Sequence, residues 1–589
     1  MKIPRLTPWR RLTGPAILLL AAAAATFPQV IAGVSCGHDF DFHLLSWLEA
    51  LNGWRHGILY PHWATTPNFG AGEPRFVFYP PLTWMLGALL RFAIKPLRWT
   101  PLTEIALLLW ATGLGTRALA CELLTEGAAT LAGCAAIFSG YALFTAYERS
   151  AFGELTGGLW IPLLLLFALR DRKPGAPWLA RALDGSAAAL TLVVAGAWLS
   201  NVPLGVMASY LLAAVALAAA LLRRSWAPVV RATAAAAIGV GLASFFLVPA
   251  AWEQRWVDVK QITDDPGERI ENSWLFARHA DPAMEFHDTV LLKASIIAVT
   301  MLAVALVCLL IAWRRGAMRG RRSLWIPLAL IAPAILFLLL PVSLPVWNLL
   351  PELKFLQFPW RWLVVLEAPM AIFLAAAVWP ERRWLRIAVT AICMLLFAGA
   401  AWAACLALTQ DCDADDSPWG LQNAFRSGAG VAGTDEYEPP GADDGLVAMG
   451  LPGACLVSDP AITLGAPSPD TNPTWDPSQG TCEATLEPST NSPEHLRLTG
   501  SVPHDGYLVL RLRRYPAWRV TLNGKPAEMD DQRDDGLMAI DVQKGPVDLA
   551  ADWTTTRDVV AGRWLSVLAL FLVTALCLLE RRMARPHLE

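Results

Sequence analysis

The sequence predicts a polytopic α-helical membrane protein of about twelve spans plus interfacial helices, with a C-terminal β-sandwich domain outside the cytoplasm. Three observations predict it. Of 589 residues, 55% are hydrophobic and only 16% charged, against roughly 25% charged in an average soluble chain. The apolar residues run in long blocks, which a soluble fold has no means of hiding. The charge is also divided: residues 410–561 hold 25 Asp and Glu against 10 Lys and Arg, leaving 25 acids and 37 bases elsewhere, mostly in short clusters between the blocks. That is a positive-inside pattern with an acidic segment on the opposite face.

Residues 1–12 carry Lys2, Arg5, Arg10 and Arg11 and no acid, so the N-terminus is expected in the cytoplasm and the apolar run 13–33 leads outward. The run is read as a retained anchor, being long for a signal core, although the small residues before Cys36 also fit a cleaved signal peptide. Basic clusters then mark the cytoplasmic loops: Arg170, Arg172 and Lys173; Arg223, Arg224 and Arg231; Arg314, Arg315, Arg319, Arg321 and Arg322; and Arg382, Arg383 and Arg386. Arg581, Arg582 and Arg585 place the C-terminus inside. Apolar blocks at 101–121, 127–145, 155–170, 184–200, 203–222, 232–251, 288–313, 323–341, 361–379, 385–408 and 562–580 complete the passages. Segment 81–94 is too short to span. It reads as a helix in the outer interface, which leaves Arg91, Lys95 and Arg98 on the outer surface.

The chain divides into a transmembrane part (1–408) with a large first outer loop (35–94), an acidic β-rich domain (409–561), and a final span with a cytoplasmic tail (562–589). The first half of the outer domain is rich in Pro, Gly, Ser and Asp and reads as loops. Strand-like runs follow at 507–512, 518–522, 537–542 and 547–551, with Asn523-Gly524 as a hairpin turn. No internal repeat is evident. Of ten cysteines, none forms Cys-x-x-Cys. Cys36, Cys412, Cys455 and Cys482 fall outside the cytoplasm, where disulfides are permitted, and Cys455–Cys482 is the simplest pairing.

The first outer loop is the most informative stretch. Asp39 and His43 are four apart, sharing a helix face from which Asp41 is turned away. A carboxylate held at the membrane surface can take a proton from a sugar hydroxyl or bind a cation beside a lipid phosphate. The bland alternative is that outer loops carry acids anyway. Arg361, between Trp360 and Trp362 at a span's outer end, suits a lipid phosphate, because its planar fork pairs with oxyanions; an interfacial anchor would look the same. Arg149 and Glu154 flank a short turn and can pair with each other, whereas Glu148 reads as structural. Tyr60, Trp63, Phe76 and Tyr79 offer flat faces for a sugar ring or for the interface. Glu253 and Arg255 read as a solvated rim.

A resemblance rests on the order Asp39…His43, Gly57, Tyr60-Pro61-His62-Trp63, Gly70-Ala71-Gly72 and Phe78-Tyr79-Pro80-Pro81-Leu82. It looks like the first outer loop of GT-C membrane glycosyltransferases, in particular the 6-pyruvoyl-tetrahydropterin synthase-related membrane protein family. Tyr147, Arg149 and Glu154 resemble that family's Tyr-x-Arg-x-x-x-x-Glu loop, and Phe358-Pro359-Trp360-Arg361 its Phe-Pro-Trp-Arg element. Glu436-Tyr437-Glu438-Pro439 resembles its Glu-Tyr-x-Pro segment, and Tyr515-Pro516-Ala517-Trp518-Arg519-Val520 with Asn523-Gly524-Lys525 its terminal β-domain. Asn201 stands where relatives often have His.

The resemblance implies an inverting hexosyl- or pentosyltransferase in the inner (plasma) membrane. Its donor would be a polyprenyl-phosphate sugar and its acceptor a cell-envelope glycan, lipid or protein, with site and β-domain on the periplasmic side. Asp39 would be the base or acceptor-orienting acid, and Asp41 and His43 would support it. Arg149 and Arg361 would hold the donor phosphate, with Glu154, Tyr79 and Trp360 lining the site. A divalent metal (Mg or Mn) has Asp39 and Asp41 as its carboxylates, if one binds. No nucleotide-binding loop, zinc motif or serine-hydrolase elbow is present, and nucleic-acid binding has no support. Two other classes stay open. A lipid or polysaccharide transporter predicts charges within spans and related halves, whereas the apolar blocks read as nearly free of charge, with Arg117 and Glu122 near a block's end. A non-catalytic scaffold with a glycan- or protein-binding β-domain predicts that Asp39 is dispensable.

Overall fold

A computed structural model describes residues 8–171, 181–183, 186–318, 320–465, 473–529 and 533–584. Lys2, Arg5, Arg172, Lys173, Arg319 and Arg585 lie outside these. Helix α1 (Pro8–Ala32) leads into a loop holding α2 (Phe40–Arg55) and α3 (Pro81–Ala93). Then come α4 (Trp99–Ala120), α5 (Glu126–Tyr147), α6 (Phe152–Leu169), α7 (Ala187–Ser200), α8 (Val202–Arg223) and α9 (Ala227–Glu253). The series continues with α10 (Glu285–Arg314), α11 (Arg322–Leu338), α12 (Pro359–Val378), α13 (Arg383–Leu408), α14 (Pro418–Ser427) and α15 (Arg557–Ala584).

Among the described residues, nine helices are long and apolar enough to cross a membrane, and α11, bent by 96° into Pro341–Leu349, makes a tenth. The chain is a multi-pass membrane protein. The expected count was about twelve. The two shortfalls have separate causes. α7 has 14 residues, about 21 Å of helix against a core of about 30 Å. α4 is long enough but carries Glu104, Arg117 and four threonines. The apolar blocks also hold more charge than their hydropathy suggests: Glu104 and Glu367 are buried inside α4 and α12.

α3 is 13 residues long and too short to span; Leu89 and Phe92 are exposed while Trp84 is buried against the loop. The β region is a sandwich of two antiparallel sheets. β1 (Ala454–Val457), β2 (Ala484–Leu486), β5 (Gly506–Arg513) and β8 (Leu537–Val542) form one, in the order β2-β1-β5-β8. β3 (Pro488–Ser492), β4 (His495–Val502), β9 (Gly545–Trp553), β6 (Trp518–Leu522) and β7 (Lys525–Pro526) form the other in that order. Asn523 (φ 50°) and Gly524 (φ 77°) make the β6–β7 turn, both left-handed as that turn requires. β1 and the start of β2 lie in the half that reads as loops, and β3 and β4 in the stretch before the first strand-like run.

The sandwich is fastened to the helices. Glu253, at the end of α9, is buried rather than a solvated rim. It accepts from the Tyr515 hydroxyl at 2.5 Å and the Thr556 hydroxyl at 3.0 Å, because β-domain and α15 close over the end of α9. Cys455 bonds Cys482, and Cys36 bonds Cys412, latching the first loop to the segment after α13.

Candidate functional site

The segment leading into α2 is zipped onto the turn between α5 and α6. The Ser35 hydroxyl donates to the Tyr147 carbonyl (2.6 Å), Gly37 N–H to the Ser150 hydroxyl (3.2 Å) and Asp39 N–H to the Arg149 carbonyl (2.9 Å). A Cβ at Gly37 would lie 2.5 Å from the Glu148 carbonyl oxygen, so only glycine permits this approach. Asp39 sits at the N-cap of α2 with its side chain turned to Arg149, 3.5 Å away, and to His38, 3.0 Å away.

From there an ion-pair chain runs inward. Arg149 Nη1 donates to Glu154 at 2.7 Å, the Tyr141 hydroxyl donates to the same carboxylate, and Arg361 Nε stands 3.4 Å from it. Arg361 Nη1 donates to the Leu356 carbonyl and to Gln357 Oε1, both at 2.9 Å. Gln357 in turn donates to Glu268 at 2.8 Å. Ser150 (φ 50°) and Gln357 (φ 59°) hold left-handed backbones at the two ends of this chain, a conformation that costs energy in non-glycine residues and concentrates at functional sites. The Phe358 ring lies beneath both cations, 5.6 Å from Arg149 and 5.0 Å from Arg361. Glu268 also lines a cavity of about 560 Å³ with Arg269, Glu271, Asn272, Lys354 and Phe355.

On either side of Arg361 at the head of α12, two buried indole N–H donors, Trp360 Nε1 and Trp362 Nε1, have no acceptor among the described residues. Buried donors are normally paired, and an oxyanion is the ligand that would satisfy such a group.

Electrostatics separate the two residues that share the α2 face. Burial opposes ionisation of Asp39, but Arg149 and the His38 hydrogen bond more than offset it and hold the carboxyl below the usual carboxylate range. His43 is buried, and burial pulls its pKa down to about 4. Its Nε2 accepts the Phe152 N–H at 3.1 Å, so Nδ1 carries the proton and donates to the Tyr79 hydroxyl, 2.7 Å away. Both ring nitrogens are therefore engaged away from Asp39. Tyr79, with its hydroxyl spent on His43 and its ring edge-on to Phe42 at 4.7 Å, is a packing residue here. Trp360 is buried and stacked on Phe358 at 4.5 Å.

Asp41 is exposed on the first turn of α2, its carboxylate capping the Phe42 N–H at 2.7 Å. Among the described residues, the one cluster of three metal-type ligands within 4.8 Å of one another is Cys36, Cys412 and Asp416, and its two sulfurs are bonded to each other. Among the described residues Asp39 and Asp41 belong to no such cluster. Glu148 is structural, held by Lys293 at 2.8 Å and Gln410 at 2.7 Å. Trp63 and Phe76 are buried in packing, and Asn201 caps α8 through the Leu204 N–H (2.9 Å).

Residues 433–439 return to this region. Thr434 is bound by Glu73 at 3.0 and 3.1 Å, and Tyr437 stacks on Phe78 at 5.5 Å. Burial, reinforced by Glu268, Glu73 and Asp435, raises the Glu436 carboxyl to about 7. Sequence reading passed over Gln357, Glu268 and Glu436 as site groups, though Glu436 lies inside a quoted motif and Gln357 directly precedes one.

No family model matches the sequence, and no curated protein matches it. Solved structures show weak similarity. Arabinofuranosyltransferase AftD from Mycobacteria is 19% identical over 69% of this chain and 27% of its own, with a TM-score of 0.43. The oligosaccharyltransferase AglB from Archaeoglobus fulgidus, solved with an inhibitory peptide and a dolichol-phosphate, is 11% identical over 74% of this chain and 61% of its own, TM-score 0.43. ArnT from Cupriavidus metallidurans, bound to undecaprenyl phosphate, is 13% identical over 83% and 98%, TM-score 0.30. The chain thus spans about a quarter of AftD and under two thirds of AglB. Likeness at this level carries nothing about chemistry.

Proposed function

We propose that this protein is a GT-C-type glycosyltransferase that moves a sugar, with inversion, from a polyprenyl-phosphate donor to an extracytoplasmic glycan, lipid or protein. In this reading both termini are cytoplasmic, and residues 409–561 form the extracytoplasmic domain. The observation that carries it is the meeting of Asp39, Arg149, Glu154 and Arg361 in one chain, beside two buried indole N–H donors that lack an acceptor among the described residues. The sequence resemblance supplies the reaction class.

The acceptor oxygen attacks the anomeric carbon, the C1–O bond to phosphate breaks, and polyprenyl phosphate leaves with the electron pair. Arg149, Arg361 and the two indole N–H groups stabilise the charge that develops there. The acceptor proton goes to Asp39. While Arg149 faces Asp39, that carboxylate is a poor base, because its pKa is depressed. A donor phosphate drawing Arg149 toward itself restores Asp39's basicity, so donor binding arms the base. His43 acts as a positioning residue that holds Tyr79 and the start of α6. Asp41, if it contributes, does so from the rim.

The test is transfer from a panel of polyprenyl-phosphate sugars by purified protein. Asp39→Asn, with unchanged yield and unfolding, is expected to lose about a hundredfold or more in turnover. Equal turnover by wild type and variant removes Asp39 from the mechanism.

A further inference from the structure

A second cavity, about 280 Å³, opens between the β-sandwich, α14 and the first outer loop, and none of its lining residues belongs to the ion-pair chain. It is lined by two cations, Arg426 and Arg511, and by no carboxylate, Glu487 being the nearby acid whose charge reaches Arg511, within a segment where acids outnumber bases 25 to 10. Arg511 is placed there by a β-bulge. The β5–β8 register passes from Leu510 opposite Met538 to Arg513 opposite Leu537, so Arg511 and Leu512 stand outside the ladder. Bulges re-aim side chains in this way beside sites.

The guanidinium is anchored by one bond, Nη1 to the Leu451 carbonyl at 3.1 Å. The loop backbone lies against it: a Cβ at Gly70, whose φ is +91°, would sit 3.4 Å from the guanidinium carbon. Trp518 lines the same cavity, is 4% exposed, and its Nε1 has no acceptor among the described residues, although a buried indole N–H usually finds one. Arg91 of the interfacial helix α3, whose Nη1 donates to the Ile94 and Lys95 carbonyls at 2.8 Å, feels the charges of Arg426 and Arg55, and its Nε is buried without an acceptor among the described residues. Arg91 is one of the three bases, with Lys95 and Arg98, that the topology leaves on the outer surface.

We propose that this cleft binds an acidic saccharide unit. A carboxylate or phosphate substituent pairs with Arg511, a ring oxygen or hydroxyl accepts from Trp518 Nε1, and Arg426, Arg91 and Arg55 continue the track for neighbouring acidic units toward the membrane surface. Assigning the bound glycan as the acceptor rests on the transferase reading. The binding itself does not, and the experiment separates the two.

The experiment is calorimetric titration of the full-length protein in nanodiscs with tetragalacturonate, and with maltotetraose as a neutral chain of equal length. The acidic probe is expected to bind at least about tenfold tighter, and Arg511→Gln to weaken it about tenfold or more, the scale of one charge-assisted hydrogen bond. Trp518→Phe, which keeps the ring and removes the donor, is expected to cost about fivefold. Asp39→Asn is expected to bind like wild type while losing transfer. A wild type that binds the acidic probe but transfers no sugar fails the transferase reading alone, and one that transfers sugar but binds both probes equally fails this proposal alone. Equal affinity for both probes overturns the proposal. So does undiminished acidic binding in Arg511→Gln and Trp518→Phe proteins that unfold like wild type.

Discussion

Arg149→Gln removes the cation that Glu154 holds at 2.7 Å. Breaking a buried pair by removing one partner costs about 3–5 kcal/mol. Glu154 is not wholly abandoned, because the Tyr141 hydroxyl still donates to it and Arg361 stands 3.4 Å away; the expected cost is at the low end, about 3 kcal/mol. Glu154→Gln strips the counter-charge from two buried guanidinia and is expected to cost about 4 kcal/mol. If the two groups act as a pair, the second substitution removes what the first has already lost. The double variant then falls short of additivity by about 2–3 kcal/mol, within the range for residues in direct contact. The assay is reversible unfolding of the four proteins in mixed SDS–detergent micelles. Arg149→Gln with Asp39→Asn should couple more weakly, by about 1 kcal/mol, since that pair is 3.5 Å apart and the Asp39 side chain is 30% exposed. A coupling between Arg149 and Glu154 under about 0.5 kcal/mol refutes the buried chain and the donor site built on it.

Two further outcomes follow from the same region. His43 has a pKa of about 4 in the fold, below its ordinary 6.5. The unfolded chain takes up a proton between those values that the folded one refuses. Stability is therefore full above pH 6.5 and falls as pH drops toward 4, by roughly 3 kcal/mol. Unfolding midpoints across that window should show the slope in wild type and lose most of it in His43→Gln; identical slopes would mean another group titrates. Gly37→Ala places a methyl 2.5 Å from the Glu148 carbonyl oxygen and should cost about 1–3 kcal/mol, the scale of overpacking. It should also depress turnover by moving Asp39 off Arg149, and a variant with wild-type unfolding and kcat contradicts the zipped geometry.

The membrane helices were legible because apolar blocks of near-bilayer length have few alternatives. Single acids within them were not: Glu367 barely alters the hydropathy of its block, and Glu104 lowers that of its block without ending the apolar run, yet each is a buried carboxyl in its helix. Asp39, Arg149, Glu154 and Arg361 were each visible as suitable groups at the outer ends of helices. Their meeting was not, since it depends on the tertiary zip through Ser35, Gly37 and Ser150, whose spacing is not local. Glu253 illustrates the same limit, because its partner Tyr515 lies 262 residues further on. In the outer domain, β5, β6, β8 and β9 announce themselves through apolar and β-branched runs. β1 is only four residues long and buried throughout, so it lacks the alternation that marks a half-buried strand. β2, β3 and β4 crowd together among Pro, Ser and Thr, where turn composition masks them.

The Cys36–Cys412 bond puts a clock on biosynthesis. Its halves are 376 residues apart, so at about 5–20 residues per second the first thiol waits roughly 20–75 s for its partner. Cys455 and Cys482, only 27 residues apart, are made seconds apart and can close almost at once. Four thiols allow three pairings, and the early one is exposed longest to small-molecule thiols and to wrong partners. A cell making this protein therefore needs an oxidant that can be reversed, because a thiol capped too soon leaves Asp39's loop unfastened. The first part of the site to leave the ribosome is among the last to be locked in place.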